Sequence, residues 1–356
     1  MPPWTHPFAG RLEDAVIDSQ ALTGNPLGDP HRRPLVVQLP PAYDTETERR
    51  FPTVYVLQGF GNQVDTWRNR RAWQRNPPEE LDARFAAGDV PPAVIVYVDA
   101  WTALGGSQFV DSPGTGRYAT YLCDEVVPFV DASYRTLADA RHRGLAGHSS
   151  GGYGAAVNAM RRPDRFGGFA SHAGDGLFEL SYLASFAPAV KALRDAYDGS
   201  FDAFWADFRG RPGRSRSTDG VLIELYAMAA CYSADADGTI RFPFDLETGE
   251  LQPATWDRWL ANDPVRMAAR PEYAEALRGM RGIWLDAGGG DEFNLDLATT
   301  ALHRALRQVG VPDDVIHFEL FDGGHNGIAW RYPLALAWLI GRLSQASPDM
   351  SPHEAG

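Results

Sequence analysis

Short runs of Val, Ile, Leu and Tyr alternate with longer stretches of helical periodicity along most of the chain. This pattern predicts a mainly parallel sheet with helices on both faces. The runs that predict strands are Leu35–Leu39, Thr53–Gln58, Ala93–Asp99, Arg143–Gly147, Gly167–His172, Gly282–Ala287 and Val315–Phe321. Glu13–Leu22 adds an antiparallel edge strand. Tyr55-Val-Leu57 and Val94-Ile-Val-Tyr-Val98 carry no polar alternation, so both faces of those strands should be covered. Helices are predicted over Tyr118–Ser133, Gly152–Arg161, Asn294–Val309 and Tyr332–Ser344. The first spaces Tyr118, Leu122, Val126 and Phe129 for packing on the sheet.

The alternation breaks between about residues 176 and 275. Helical patterns replace strands there, and they are rich in aromatics: Phe201, Phe204, Trp205, Tyr226, Trp256 and Trp259. Arg209–Ser217 reads as a surface loop. The expectation is a catalytic domain over 12–345 with a helical cap, 176–275, inserted between two sheet strands. The cap's aromatics are expected to wall a substrate site. The first ten and last ten residues read as frayed ends.

Charge and composition narrow the function. The chain has 356 residues, 33 Lys+Arg against 46 Asp+Glu, and a net charge of −13, which disfavours nucleic acid as a partner. No apolar run approaches membrane-spanning length, so no membrane partner is expected. A start without a basic or apolar segment predicts a cytoplasmic location. Cys123 and Cys231 are expected to be two separate buried thiols. Lys191 is the only lysine, no phosphate-binding Gly-Lys-Ser/Thr motif occurs, and HExxH and CxxC are absent. No metal site is expected. Ser233-Ala-Asp235-Ala-Asp237-Gly238 has the alternating acids of a calcium loop. Phe244 stands where the closing glutamate belongs, so the segment reads as a polar turn.

Gly147-His148-Ser149-Ser150-Gly151-Gly152 follows a predicted strand and opens a predicted helix, the context a nucleophile elbow requires. The turn is so tight that side chains at positions 147 and 151 should collide with neighbouring backbone. The helix start then aims N–H groups at any oxyanion formed there. A serine nucleophile needs a base, and the base needs an orienting acid. In Asp322-Gly-Gly-His325-Asn-Gly, glycines let the imidazole of His325 swing over the elbow. His317 and His303 are more simply structural. Asp291 and Glu292 both lie on the loop Gly288–Phe293, and Asp291 is favoured as the acid. The oxyanion donors are expected to be the backbone N–H groups of Ser150 and Phe60, the latter in Gln58-Gly-Phe-Gly61. Gln58, Trp67, His148, His172 and Asp175 are candidate pocket residues, with Trp73 and Trp101 as further aromatic candidates.

Pro40-Pro-Ala-Tyr-Asp44, Val54–Gly61, Gly147–Tyr153, Leu285–Phe293 and Phe321-Asp-Gly-Gly-His325 together resemble the esterase branch of the α/β-hydrolases. That branch includes esterase D-like S-formylglutathione hydrolases, feruloyl and enterochelin esterases, and mycolyltransferases. The resemblance runs from roughly Ser19 to Leu343 and matches the inserted segment only loosely. It implies a triad of Ser149, Asp291 and His325, oxyanion donors Phe60 and Ser150, and no cofactor. Gln58 stands where many members carry His or Asp, and Ser150 where Met is frequent; both bear on substrate fit.

The expected function is hydrolysis of a small-molecule carboxylic ester, short-chain or aryl, through an acyl-enzyme. An acyltransferase with the same residues, a peptidase and a catalytically silent binding protein are the alternatives on this fold.

Overall fold

In the computed structural model, which describes residues 7–345, the apolar runs pair into one eight-stranded sheet. The strands are β1 (Arg11–Asp18), β2 (Arg32–Leu39), β3 (Thr53–Leu57) and β4 (Val94–Val98). They continue with β5 (Arg143–His148), β6 (Gly168–His172), β7 (Gly282–Gly288) and β8 (Ile316–Phe321). Their order across the sheet is β1-β2-β4-β3-β5-β6-β7-β8. β1 and β2 run antiparallel at one edge, and β2 is antiparallel to β4. From β4 to β8 all neighbours are parallel. The edge strand stops at Asp18, short of the expected Leu22, because Ala21 N–H turns away to donate to Glu125 Oε1 at 2.8 Å. Of the expected frayed ends, residues 1–6 and 346–356 lie outside the described residues.

Alternation along each central strand sorts its side chains to two cores. Leu35, Val37, Tyr55, Leu57, Val94, Val96, Val98 and Leu145 enter one; Val36, Val54, Val56, Ile95, Tyr97 and Ala146 enter the other. Both faces are therefore sealed, as the unbroken apolar runs predicted. Five helices flank the sheet: α1 (Pro77–Ala87), α2 (Val127–Ser133), α3 (Ser150–Arg161), α4 (Leu295–Gln308) and α5 (Arg331–Leu343). α1 lies beyond the predicted set, although its start signal was legible. Asn76 and Glu79 form a reciprocal capping box, and Pro77 occupies the first turn. The predicted helix over Tyr118–Ser133 is not uniform. A π-helical stretch, Tyr121–Val126, precedes α2, where Pro128 has no N–H to continue the ladder.

The segment after β6 is helical: Phe178–Ser181, Phe186–Tyr197, Phe201–Arg209, Asp219–Tyr232, Pro253–Leu260, Pro264–Ala268 and Pro271–Arg278. The sheet resumes at Gly282. The aromatics of this segment point mostly at one another. Phe201 stacks on Phe242 at 4.2 Å, and Phe186 meets Trp256 edge-on at 5.6 Å. Trp259 is fully buried against Tyr182 and Tyr232. These rings are core, continuous with the core on one face of the sheet, and Trp205, Phe242 and Tyr226 pack against it. Phe201, Phe204, Trp205, Tyr226, Trp256 and Trp259 thus pack in or against this core and do not form the expected substrate wall. Asp235 is bound by Arg241 and Arg258, at 2.6 and 2.9 Å, and Asp237 accepts the Thr239 N–H at 2.9 Å.

α5 seats Leu339 over two glycines of the sheet; a Cβ on Gly144 or Gly168 would come within 3.1 or 3.0 Å of its methyls. Leu339 is fully buried. Leu339→Ala should therefore lower unfolding free energy by about 2–5 kcal/mol, measured by urea denaturation, because rigid strands cannot collapse into the cavity.

Candidate active site

β5 passes into α3 through a single residue, Ser149, whose backbone is left-handed in φ (56°, with ψ −127°). A Cβ on Gly147 would lie 2.2 Å from the carbonyl carbon of Gly151, and one on Gly151 would lie 2.3 Å from Leu57 O. The two glycines are thus required by contact between three backbone segments. Ser149 N–H donates to His172 O at 2.9 Å, and Ser149 O accepts from Tyr153 N–H at 2.9 Å. This pins the strained residue from both sides.

The loop after β8 brings His325 to the elbow. Its Nε2 lies 3.1 Å from Ser149 Oγ, and its Nδ1 lies 2.8 Å from Asp291 Oδ2. Asp291 stands on the loop between β7 and α4, and its other oxygen accepts the N–H groups of Phe293 and Leu295 at 2.9 and 3.3 Å. Burial pushes the Asp291 carboxyl up, but the hydrogen bonds from His325 and from these two N–H groups outweigh it and leave it below its ordinary value. Glu292 takes a different part: its Oε2 accepts the backbone N–H of His325 at 2.8 Å. His148 lies 4.4 Å from the His325 ring, centroid to centroid. Burial, reinforced by His325 and His172, pushes His148 down to about 3 and keeps it neutral.

The loop after β3 approaches the same point. Among the described residues Phe60 N–H makes no backbone hydrogen bond, and Ser150, first in α3, has no acceptor for its N–H within the helix. The Phe60 ring lies on Gly105 and Gly106, and Gly61 N–H donates to Gly105 O at 2.9 Å. Gln58 is not a wall of the main cavity. Its buried Nε2 donates across the turn to Asn62 O at 2.6 Å, bracing the loop that carries Phe60.

Ser149 and His325 open on a cavity of about 400 Å³, lined also by Phe60, Asn62, His148, Asp175, Tyr182, Arg214, Glu224, Phe293 and Asn326. Asp175, a candidate from the sequence, is buried at its wall, where its Oδ2 accepts from Gln108 and Tyr182 at 2.8 Å and from Ser150 Oγ at 3.3 Å. Burial holds its carboxyl above the ordinary value against those hydrogen bonds. Trp67 lies elsewhere, packed on Tyr97 and Tyr332 in the other core, and Trp73 is fully exposed. Glu224 escaped the sequence reading, although it is the lone charged residue in the apolar run Val221–Tyr232.

A family model described as "Putative esterase" matches residues 30–338. The chain belongs to the esterase family. A Mycobacterium tuberculosis esterase is 30% identical over 142 residues, covering 39% of this chain and 28% of that protein. An endo-1,4-beta-xylanase/feruloyl esterase of Xylanibacter ruminicola is 27% identical over 120 residues, or 34% of this chain and 16% of that protein. The matches thus span under a third of these curated relatives. A ferulic acid esterase structure superposes with a TM-score of 0.61 at 20% identity, covering 95% of this chain and 100% of that one; it shows the shared α/β-hydrolase fold.

In this esterase-family chain the candidate loops are tied together from below. His148, His172, Asp286 and Glu319 are in register across β5, β6, β7 and β8. His172 is fully buried in this row, with Nδ1 2.5 Å from Asp286 Oδ1, and it does not line the cavity as expected. Asp286 also accepts from Trp284 Nε1 at 2.8 Å and from Arg331 Nε at 2.7 Å, while Arg331 continues to Glu319. Asp286 therefore joins the strand before the Asp291 loop to the helix after the His325 loop. Asp286→Ala leaves buried His172 without its carboxylate and Arg331 with Glu319 alone, and should cost about 3–5 kcal/mol, read as a lowered urea midpoint.

Proposed function

We propose that the protein hydrolyses carboxylic esters through a serine acyl-enzyme. The observation that carries this reading is the continuous chain from Ser149 Oγ through His325 to Asp291, with contacts of 3.1 and 2.8 Å. Ser149 Oγ attacks the ester carbonyl as His325 Nε2 takes its proton, and the carbonyl oxygen becomes an oxyanion facing the N–H groups of Phe60 and Ser150. Collapse breaks the bond to the alcohol oxygen, which leaves with the proton held by His325. Water then repeats the cycle on the acyl-enzyme, releasing the acid and restoring Ser149. Asp291 holds Nδ1–H and stabilises the imidazolium that forms in each half.

A cavity of about 400 Å³ with Phe60 and Phe293 beside the nucleophile suits a short-chain or aryl ester of modest size. The helical segment 176–275 serves as its cap, contributing Tyr182, Arg214 and Glu224 to the wall. The chemistry needs no cofactor. We take the cytoplasm as its location, in keeping with two buried free thiols, Cys123 and Cys231.

Ser149→Ala should lower kcat for a nitrophenyl ester by about 10³–10⁶-fold and abolish fluorophosphonate labelling while leaving the melting curve in place. Retention of more than about a tenth of the activity in pure protein would refute the assignment of the nucleophile. The acid is tested by contrast. Asp291→Asn should depress kcat/KM by roughly 10²–10⁴-fold, since the amide cannot hold the imidazole in the same tautomer. Glu292→Gln should cost less than about tenfold, because the amide oxygen still accepts the His325 N–H. A reversed order would move the acid to Glu292. Excess alcohol supplied with an activated ester should leave free acid as the main product; dominant ester exchange would replace hydrolysis by acyl transfer.

A further inference from the structure

Helix Asp219–Tyr232 buries Leu222, Ile223, Leu225 and Met228 in the core, and on the same helix Glu224 lines the cavity that holds Ser149 and His325. Among the described residues its carboxylate accepts no hydrogen bond and forms no ion pair, although Arg214 lines the same cavity. Its neighbour Asp175 is already occupied by Gln108, Tyr182 and Ser150. Glu224 is thus an unused acceptor in a partly buried wall. Water can solvate such a group while the cavity is open, but a molecule that fills the cavity must replace that water with a hydrogen-bond donor or leave the carboxylate unpaired. A purely apolar group in that part of the cavity would leave Glu224 desolvated and unpaired.

We propose that Glu224 is the specificity-determining residue of the site, accepting a hydrogen bond from a hydroxyl or ammonium group carried by the ester. The inference rests on the serine-hydrolase reading above and names its substrate class: compact esters bearing a hydrogen-bond donor, on either the acyl or the alcohol side. The two donors make different demands on the carboxyl. Burial, then the adjacent Asp175, push Glu224 up to about 7, opposed by His325 and Arg214. Tyr182, also in the wall, is held neutral by its own burial. Below that pH the neutral carboxyl still accepts from a hydroxyl; an ammonium gains most once the carboxyl is ionised.

Two matched sets of esters test this in a pH-stat: propyl, hydroxyethyl and dimethylammonioethyl butanoate, and ethyl butanoate against ethyl β-hydroxybutanoate. The wild-type protein should favour at least one donor-bearing member by about tenfold or more in kcat/KM over its apolar match. Glu224→Leu should bring that ratio to within about twofold of unity. Glu224→Gln separates the donors, keeping a preference for hydroxyl and losing one for ammonium. An ammonium preference should also rise with pH through about 7 and be flat in Glu224→Gln. Fluorophosphonate labelling and a melting curve for each variant establish that the site is folded. Equal rates across each set in labelled wild-type protein, or a donor preference that survives Glu224→Leu, would overturn the role of Glu224. Absence of both labelling and hydrolysis in the wild type would instead overturn the serine-hydrolase reading.

Discussion

The structure hinges on one steric constraint: three stretches of backbone meet around Ser149 with no room for a side chain at Gly147 or Gly151. Because β5 must become α3 across one residue with positive φ, the serine is lifted from the end of the strand and held there. Everything else at the site is arranged around that fixed point. The Phe60 loop is anchored on Gly105 and Gly106 and braced by Gln58, while the His325 loop is held by Glu292. The strain at Ser149 is small against the sheet packing that enforces it.

Around the elbow, burial and pairing separate the charge states of groups that lie close together. His148 is kept neutral beside His325, so no second cation competes for the Asp291 carboxylate. Asp291 and Asp286 are both buried, yet charge attraction and hydrogen bonds, from His325 to the first and from His172 to the second, help outweigh the desolvation and favour the charged form. Asp175 and Glu224 are shifted the other way, because burial there is less fully compensated. One cleft thus holds carboxyls of opposite tendency. Those that favour the anion lie behind the imidazole or beneath the loops, and those shifted toward the acid line the cavity.

Much of this was legible in the sequence because its signals are local. The strands read as apolar runs, and the elbow reads as a glycine-bracketed serine between a strand and a helix. Asp291 and His325 were recognisable from their places on loops at strand ends. The misplacements share a different origin. A place at or just past a strand end does not say whether a side chain turns to the cavity or back beneath the loops, so His172 and Trp67, expected at the site, lie behind it. The aromatic surplus of residues 176–275 was expected to meet substrate, yet its rings are taken up in extending the core of one sheet face over the segment. Glu224 is the converse case: an isolated charge on an apolar helix marks where that helix leaves the core.

Ser149 and His325 are 176 positions apart in the chain, and Asp291 is 34 positions from His325. No short fragment of the molecule contains all three. The contact between Ser149 and His325 depends on the placement of β6, β7 and β8, with the long helical segment looped out between β6 and β7, so closing it carries a large entropic debt that only the finished sheet repays. Completion of the site is accordingly a late event in folding, arriving with β8 and the loop that carries His325. A chain that ends before residue 325 carries the Ser149 turn without the imidazole that meets it.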